Sequence, residues 1–115
     1  MRTTVRKPSG LRLAAGALGL VLAAPAVASD AKKLAYGRHL SGECSACHRV
    51  DGTDNGIPSI TGWDPEEFVA TMIFYRNGER NNPAMVSVAQ SLDEPDYAAL
   101  AVYYGSLPKA SRGKK

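Results

Sequence analysis

The sequence predicts a small all-α domain, and three observations carry that prediction. Apolar residues recur at helical i, i+3, i+4 spacing in two segments, Phe68–Ile73 and Tyr97–Tyr104. An aspartate followed closely by a proline precedes each segment, at Asp64-Pro65 and at Asp93-Glu94-Pro95, as is typical of helix N-termini. No segment shows the alternating apolar and polar pattern of a half-buried strand.

The predicted elements are a helix over residues 31–47, a helix over residues 65–76, a short helical turn over residues 86–91 and a last helix from Asp93. Asp30 is the expected N-cap of the first helix, and Asp96 is placed for a capping interaction in the last one. Gly37 lies inside the first helix, where a glycine is costly unless another backbone packs closely against it.

Length and composition restrict the classes of protein that the chain can be. It has 115 residues, of which 44% are hydrophobic and 22% charged. This is too short for two ordinary domains and too apolar for an intrinsically disordered chain. The size also argues against a large multi-step enzyme, so one small domain is expected.

Residues 1–28 are predicted to be a Sec-type secretory signal peptide, cut after Ala28. They combine a basic start, a short apolar run over residues 13–24 and small residues at Ala26 and Ala28, without the paired arginines of a twin-arginine signal. After cleavage we expect no stable membrane insertion. The alternative is an uncleaved N-terminal anchor, although the apolar run is short for a bilayer span and Pro25 interrupts it.

Removal of this segment changes the charge of the chain. It takes four of the 14 basic residues and none of the 11 acidic ones, so the formal charge falls from +3 to −1. A basic surface for nucleic acid is therefore not expected. Residues 29–108 form the predicted domain, and residues 109–115 are expected to be a flexible basic tail.

The motif that carries chemistry is Cys44-Ser45-Ala46-Cys47-His48, which contains both cysteines of the chain. C-x-x-C-H is the attachment signature of c-type haem. Thiols at this spacing share one turn and reach the two vinyl groups on one haem edge, while His48 comes beneath the iron as the proximal ligand. A domain this small usually needs a disulfide, a metal or a cofactor to be stable, because its hydrophobic core is small. We therefore expect one haem c, bound covalently through Cys44 and Cys47.

Other interpretations of the two cysteines are weaker. A thioredoxin-like redox pair needs a βαβ pattern, which is missing. A zinc site needs four ligands, and His39 is too close upstream for the common spacings. A disulfide across two intervening residues would be strained and would leave the small core unsupported.

The sixth iron position has three candidate ligands, Met85, Met72 and His39. Met72 lies at helical spacing among apolar residues and is expected to be core. Met85 follows the turn-forming Asn82-Pro83, and a methionine in a loop can lie across a flat cofactor. We predict Met85 as the ligand, while His39, expected to be partly exposed, or an open site remains the alternative.

Pro58 is a candidate partner of His48. It has no N–H, but its carbonyl can accept the proton on the histidine nitrogen that does not bind iron. The alternative from the residues alone is a plain turn proline.

Together these residues resemble the class I cytochrome c family, over residues 31–107. The resemblance is carried by the glycine-bearing first helix that leads into the haem motif, Gly56-Ile57-Pro58, Gly78-Glu79-Arg80, Met85 and Tyr103-Tyr104. The spacing is most similar to short bacterial periplasmic cytochromes of the c4/c553 type and to the haem subunits of flavocytochrome sulfide dehydrogenases.

The resemblance implies three to four helices around one haem, with His48 and Met85 on the iron and the outer helices crossing near Gly37. It also supports Pro58 as the partner of His48. Arg80 and Trp63 are candidate donors to the haem propionates. The alternative is that Arg80 faces solvent and Trp63 is a core residue.

A haem with both axial positions filled by protein has no site for substrate, so its chemistry is outer-sphere electron transfer. We therefore expect a periplasmic one-electron carrier rather than an enzyme. Its redox partners would be a donor such as a flavoprotein dehydrogenase and an acceptor such as a membrane oxidase. One alternative is a haem c subunit of a larger oxidoreductase, such as a flavocytochrome sulfide dehydrogenase. Another is an open-haem protein like the cytochromes c′, which carry the motif near the C-terminus instead.

Overall fold

The computed structural model describes residues 25–110, together with residues 10, 14–16 and 19. Its helices are α1 (Pro25–Cys44), α2 (Pro65–Arg76), α3 (Pro83–Gln90) and α4 (Glu94–Ser106). No strand occurs in these described residues, so the all-α prediction is confirmed. Most of the predicted signal peptide, residues 1–28, and residues 111–115 of the predicted tail lie outside them.

Helix α1 is longer at its start and shorter at its end than the sequence predicted. It begins at Pro25 rather than near Ala31, and Asp30 lies inside it, so the prediction of Asp30 as N-cap is wrong. Proline is tolerated in a first helical turn, and the alanine-rich residues 26–31 contain nothing that stops a helix. The helix ends at Cys44, because the chain there tightens into a turn.

Helices α2 and α4 begin where the sequence predicted. The Asp64 side chain accepts the backbone N–H groups of Glu66 and Glu67 at 2.9 and 3.1 Å. Asp93 and Asp96 form a reciprocal capping box at the start of α4, with both hydrogen bonds at 3.0 Å. Both caps satisfy N–H groups that have no partner within their helix.

Two predictions about this region are wrong. The structure has a regular helix, α3, instead of a short helical turn over residues 86–91, and Met85 lies in that helix rather than in a loop. Asn82 caps α3 by accepting the Met85 N–H at 3.2 Å, and Pro83 occupies the first helical position. The same Asn-Pro pair that suggested a loop therefore starts a helix. Met85 lies in its first turn, half-buried against the core.

The core forms where α4 packs against α1 and α2, and α3 packs against α2. The buried apolar cluster consists of Phe68, Met72, Ala89, Tyr97, Leu100, Ala101 and Tyr104. This includes the whole predicted buried face of α4. Among the described helices, none is long and apolar enough to cross a membrane.

The crossing of α1 and α4 depends on Gly37. A Cβ atom at this position would lie 2.0 Å from the carbonyl oxygen of Ala99 and 2.9 Å from Cβ of Tyr103. The two backbones are therefore in direct contact, which is the close approach that the glycine predicted.

Candidate haem site

The two cysteines and His48 lie on one tight turn that continues directly from α1. The Cys44 carbonyl accepts the backbone N–H of Cys47 at 3.1 Å and that of His48 at 2.8 Å. Both thiols are free, with Cys44 half-buried and Cys47 exposed. Burial raises the pKa of the Cys44 thiol, so it remains protonated in the folded chain.

The imidazole of His48 is oriented by the loop that follows it. Its Nδ1 lies 2.8 Å from the carbonyl oxygen of Pro58. Because a carbonyl oxygen can only accept, Nδ1 carries the proton and the lone pair of Nε2 is left for a metal. The predicted partnership of Pro58 and His48 is therefore confirmed.

The loop between the motif and α2 is held in place by short-range polar contacts and by α4. Asp51 pairs with Arg49, which lowers the pKa of its carboxyl, and it also accepts the N–H of Thr53 at 2.9 Å. Gly62, with φ of +68°, donates its N–H to the Tyr104 carbonyl at 2.8 Å. A side chain at Gly62 would meet the backbone of Lys109, which the structure places against this loop.

Tyr104 brings a polar group into the core beside the motif. Its side chain is fully buried, and its hydroxyl has no hydrogen-bond partner among the described residues. The hydroxyl is close to the side chains of Cys44 and Ser45. Burial raises the pKa of Tyr104, so the group stays a neutral donor.

These residues fit a c-type haem by their chemistry. Two free thiols share a turn with an imidazole whose Nε2 is available, and the neighbouring core is apolar. The rival explanations gain nothing from the structure. No strand precedes the cysteines in the described residues, and no group of three His, Cys, Asp or Glu side chains there could hold a metal ion.

Comparison with known proteins decides the family. The chain is 35% identical over 74 residues to the cytochrome subunit of sulfide dehydrogenase of Chlorobaculum tepidum, covering 64% of this chain and 67% of that protein. It is 35% identical over 77 residues to cytochrome c-554(548) of Halomonas halodenitrificans, covering 63% of this chain and 93% of that protein. The chain belongs to the class I c-type cytochromes.

A third relative of the cytochrome is the thiosulfate dehydrogenase electron acceptor of Thiomonas intermedia, 34% identical over 73 residues. The match covers 60% of the cytochrome but only 33% of that relative, which is a longer protein. No protein-family model matches the chain. Membership of this family makes the cytochrome an electron-transfer protein with a haem c cofactor, rather than a catalyst.

The three candidates for the sixth ligand occupy different surroundings. Met72 is 5% exposed within the core cluster, as predicted. His39 is exposed on α1. Met85 is half-buried at the start of α3, so its side chain borders the core without being enclosed by it.

The two candidates for propionate contacts have protein partners in the structure. Trp63 is half-buried and meets Phe68 edge-on, with ring centroids 6.4 Å apart. Arg80 is exposed, and its guanidinium lies over the Tyr75 ring at 4.9 Å from the centroid. Contacts of Trp63 and Arg80 with propionates stay a prediction.

Sequence reasoning placed Tyr104 on an apolar face and missed the unpaired hydroxyl beside Cys44. Helical spacing shows which side of α4 faces the core, but it does not show where the end of a long side chain lies. The adjacent Tyr103-Tyr104 pair is the only signal in the sequence that could have raised the question.

Proposed function

We propose that this protein is a periplasmic one-electron carrier with one haem c, attached through Cys44 and Cys47 and ligated by His48 Nε2 and Met85 Sδ. The observation that carries the proposal is the 2.8 Å hydrogen bond between His48 Nδ1 and the Pro58 carbonyl. A metal-binding histidine usually donates its other ring N–H in this way, which fixes its tautomer and raises its basicity.

Covalent attachment would use the two free thiols of the motif and the two vinyl groups of the haem. Each S–H adds across one vinyl C=C bond, so that the sulfur bonds to one carbon and the hydrogen goes to the other. The addition is balanced without an oxidant or a reductant. Cys44, Cys47 and His48 share one backbone turn, which supports the proposal that one planar group engages all three side chains.

A haem held by these residues would provide the redox chemistry, accepting one electron from a reduced partner and passing it to an oxidised one. The chain's contribution is to choose ligands and exclude water. As iron ligands, the His48 imidazole and the Met85 thioether would favour ferrous iron and raise the reduction potential. Met85 supports this role better than its rivals, because Met72 is enclosed in the core and His39 faces solvent.

The test of ligation compares Met85→Ala with Met72→Leu in the haem-loaded protein. We expect Met85→Ala to lose the weak long-wavelength sulfur-to-iron band, to lower the potential and to bind carbon monoxide when reduced. Met72→Leu removes the core methionine with little change in volume and should keep all three parental properties. Retention of the band in Met85→Ala, or its loss in Met72→Leu, would show that Met85 is not the ligand.

Export is tested on the same preparation. Cleavage after Ala28 predicts that the periplasmic protein begins at Ser29, which leaves α1 shortened by residues 25–28 but retains Gly37 and its contact with α4. N-terminal sequencing of the periplasmic fraction checks this prediction. An intact Met1 in the membrane fraction would instead show an anchored protein.

A second candidate function is a haem subunit held permanently by a larger oxidoreductase. The name of one relative favours it, the cytochrome subunit of sulfide dehydrogenase, whereas the thiosulfate dehydrogenase electron acceptor is compatible with either candidate. Its partner would then be a redox protein such as a flavoprotein. Size-exclusion chromatography of a native periplasmic extract separates the two, because a free carrier elutes near its monomer mass and a subunit elutes with its partner.

A further inference from the structure

The hydroxyl of Tyr104 is a buried donor that the fold leaves unused. The tyrosine is 0% exposed, and its ring stacks on Phe68 with centroids 5.9 Å apart and planes at 16°. Tyr103 meets the same ring edge-on at 5.2 Å. Because the ring is fixed on two sides, the hydroxyl cannot swing to solvent without disturbing the core.

The rest of the core shows how such a group is normally satisfied. Tyr97 is equally buried on α4, and its hydroxyl donates to the carbonyl of Ala89. Buried polar groups are nearly always paired in this way, since an unpaired one costs free energy. Tyr104 lacks such a partner among the described residues.

The surroundings of the Tyr104 hydroxyl point to the sulfur of Cys44. Cys44 ends α1, is half-buried and packs against the cluster that contains Tyr104. The other neighbour is Ser45, whose hydroxyl donates its proton to the Ser41 carbonyl at 2.8 Å, so Ser45 does not compete with Tyr104 as a donor to the Cys44 sulfur. A thioether sulfur has no hydrogen and can only accept, so attachment at Cys44 leaves Tyr104 as the donor of the pair.

We propose that the Tyr104 hydroxyl donates a hydrogen bond to the Cys44 thioether sulfur in the haem-loaded protein and thereby raises the reduction potential. This inference rests on the covalent attachment proposed above. The hydrogen bond draws electron density from the sulfur and from the haem edge that carries it, which disfavours ferric iron. Tyr104 acts through Cys44 and is a positioning residue, because it does not touch the iron.

The test is the midpoint potential of the haem-loaded Tyr104→Phe variant, which removes one oxygen and keeps the ring. We expect the ratio of reduced to oxidised protein at a fixed ambient potential to fall about threefold, which is about 28 mV at 59 mV per tenfold for one electron. The sulfur-to-iron band should persist, showing that axial ligation is unchanged. Tyr103→Phe is the matched control, and its potential should stay at the parental value.

A second measurement uses the unmutated protein and does not depend on a variant folding. A hydrogen bond to the sulfur predicts that the C–S stretching band in the resonance Raman spectrum of the parent shifts between H₂O and D₂O. No isotope shift in the parent, or equal potentials for Tyr104→Phe and Tyr103→Phe, would overturn the proposal. Failure of the attachment itself is seen separately, as a denatured parent protein that carries no haem.

Discussion

The contact between α1 and α4 at Gly37 makes a sharp prediction for Gly37→Ala. The new Cβ would lie 2.0 Å from the Ala99 carbonyl oxygen and 2.6 Å from its carbonyl carbon. Both are backbone atoms, so no change of rotamer relieves the clash, and the two helices must separate by about 1.4 Å to restore ordinary contact at 3.4 Å.

The magnitude follows from two opposing effects. Overpacking a tight contact costs typically about 1–3 kcal/mol, and a clash between backbones lies at the upper end of that range. Alanine regains about 1 kcal/mol over glycine through helix propensity. We expect a net loss of about 2 kcal/mol, which lowers the Tm of a domain this small by about 8–16 °C.

The assay is thermal unfolding of the haem-loaded protein, followed by far-ultraviolet circular dichroism. Gly42→Ala is the matched control, since it lies on the same helix and a Cβ there would meet nothing within 4 Å. It should leave the Tm unchanged or raise it, through about 0.5–1 kcal/mol of helix propensity. If Gly37→Ala unfolds at or above the parental temperature, the helix crossing described here is wrong.

Two further predictions concern the polar contacts of α4. The pKa of Asp96 is lowered, mainly because its carboxylate accepts the Asp93 N–H and also the Tyr36 hydroxyl at 2.8 Å. Such a carboxyl stabilises the fold above its unfolded pKa, and this contribution is lost as pH falls through the folded pKa. The urea midpoint should therefore fall less between neutral and acidic pH in Asp96→Asn than in the parent, and parallel curves would contradict the role of Asp96. Tyr97→Phe removes the hydroxyl that donates to the Ala89 carbonyl, which keeps the Leu92 N–H at 3.4 Å, and should cost about 0.5–1.5 kcal/mol in urea unfolding, with an unchanged midpoint potential; a shifted potential would show that this bond reaches the haem.

The haem motif and its closest supports could be predicted from the sequence because they depend on local chemistry. C-x-x-C-H indicates a covalent haem, and the export signal and the absence of other cysteines strengthen that prediction. Pro58 was recognisable because its carbonyl is a fixed acceptor, and Gly37 because a mid-helix glycine needs a close neighbour to justify it. Asp64 and Asp93 marked helix starts through side chains that cap their own backbone.

Other features could not be predicted, because they depend on competition between local signals or on tertiary contacts. Asn82-Pro83 is compatible with a turn and with a capped helix start, and only the packing of α3 on α2 decides between them. Asp30 is a good capping residue, but the alanines before it extend the helix past it. The Tyr104 hydroxyl is left without a partner at the contact between α1 and α4, and no periodicity reveals this.

The most direct test of the whole account is the intact mass of the purified periplasmic protein under denaturing conditions, recorded with its ferrohaem absorption spectrum. The account predicts residues 29–115 plus the mass of one haem, with Cys47→Ser reducing the attachment to a single thioether. Denaturation removes every contact except covalent bonds, so only the two proposed thioethers can retain the haem. A folded protein that releases its haem on denaturation, or that never carried one, would contradict the central claim.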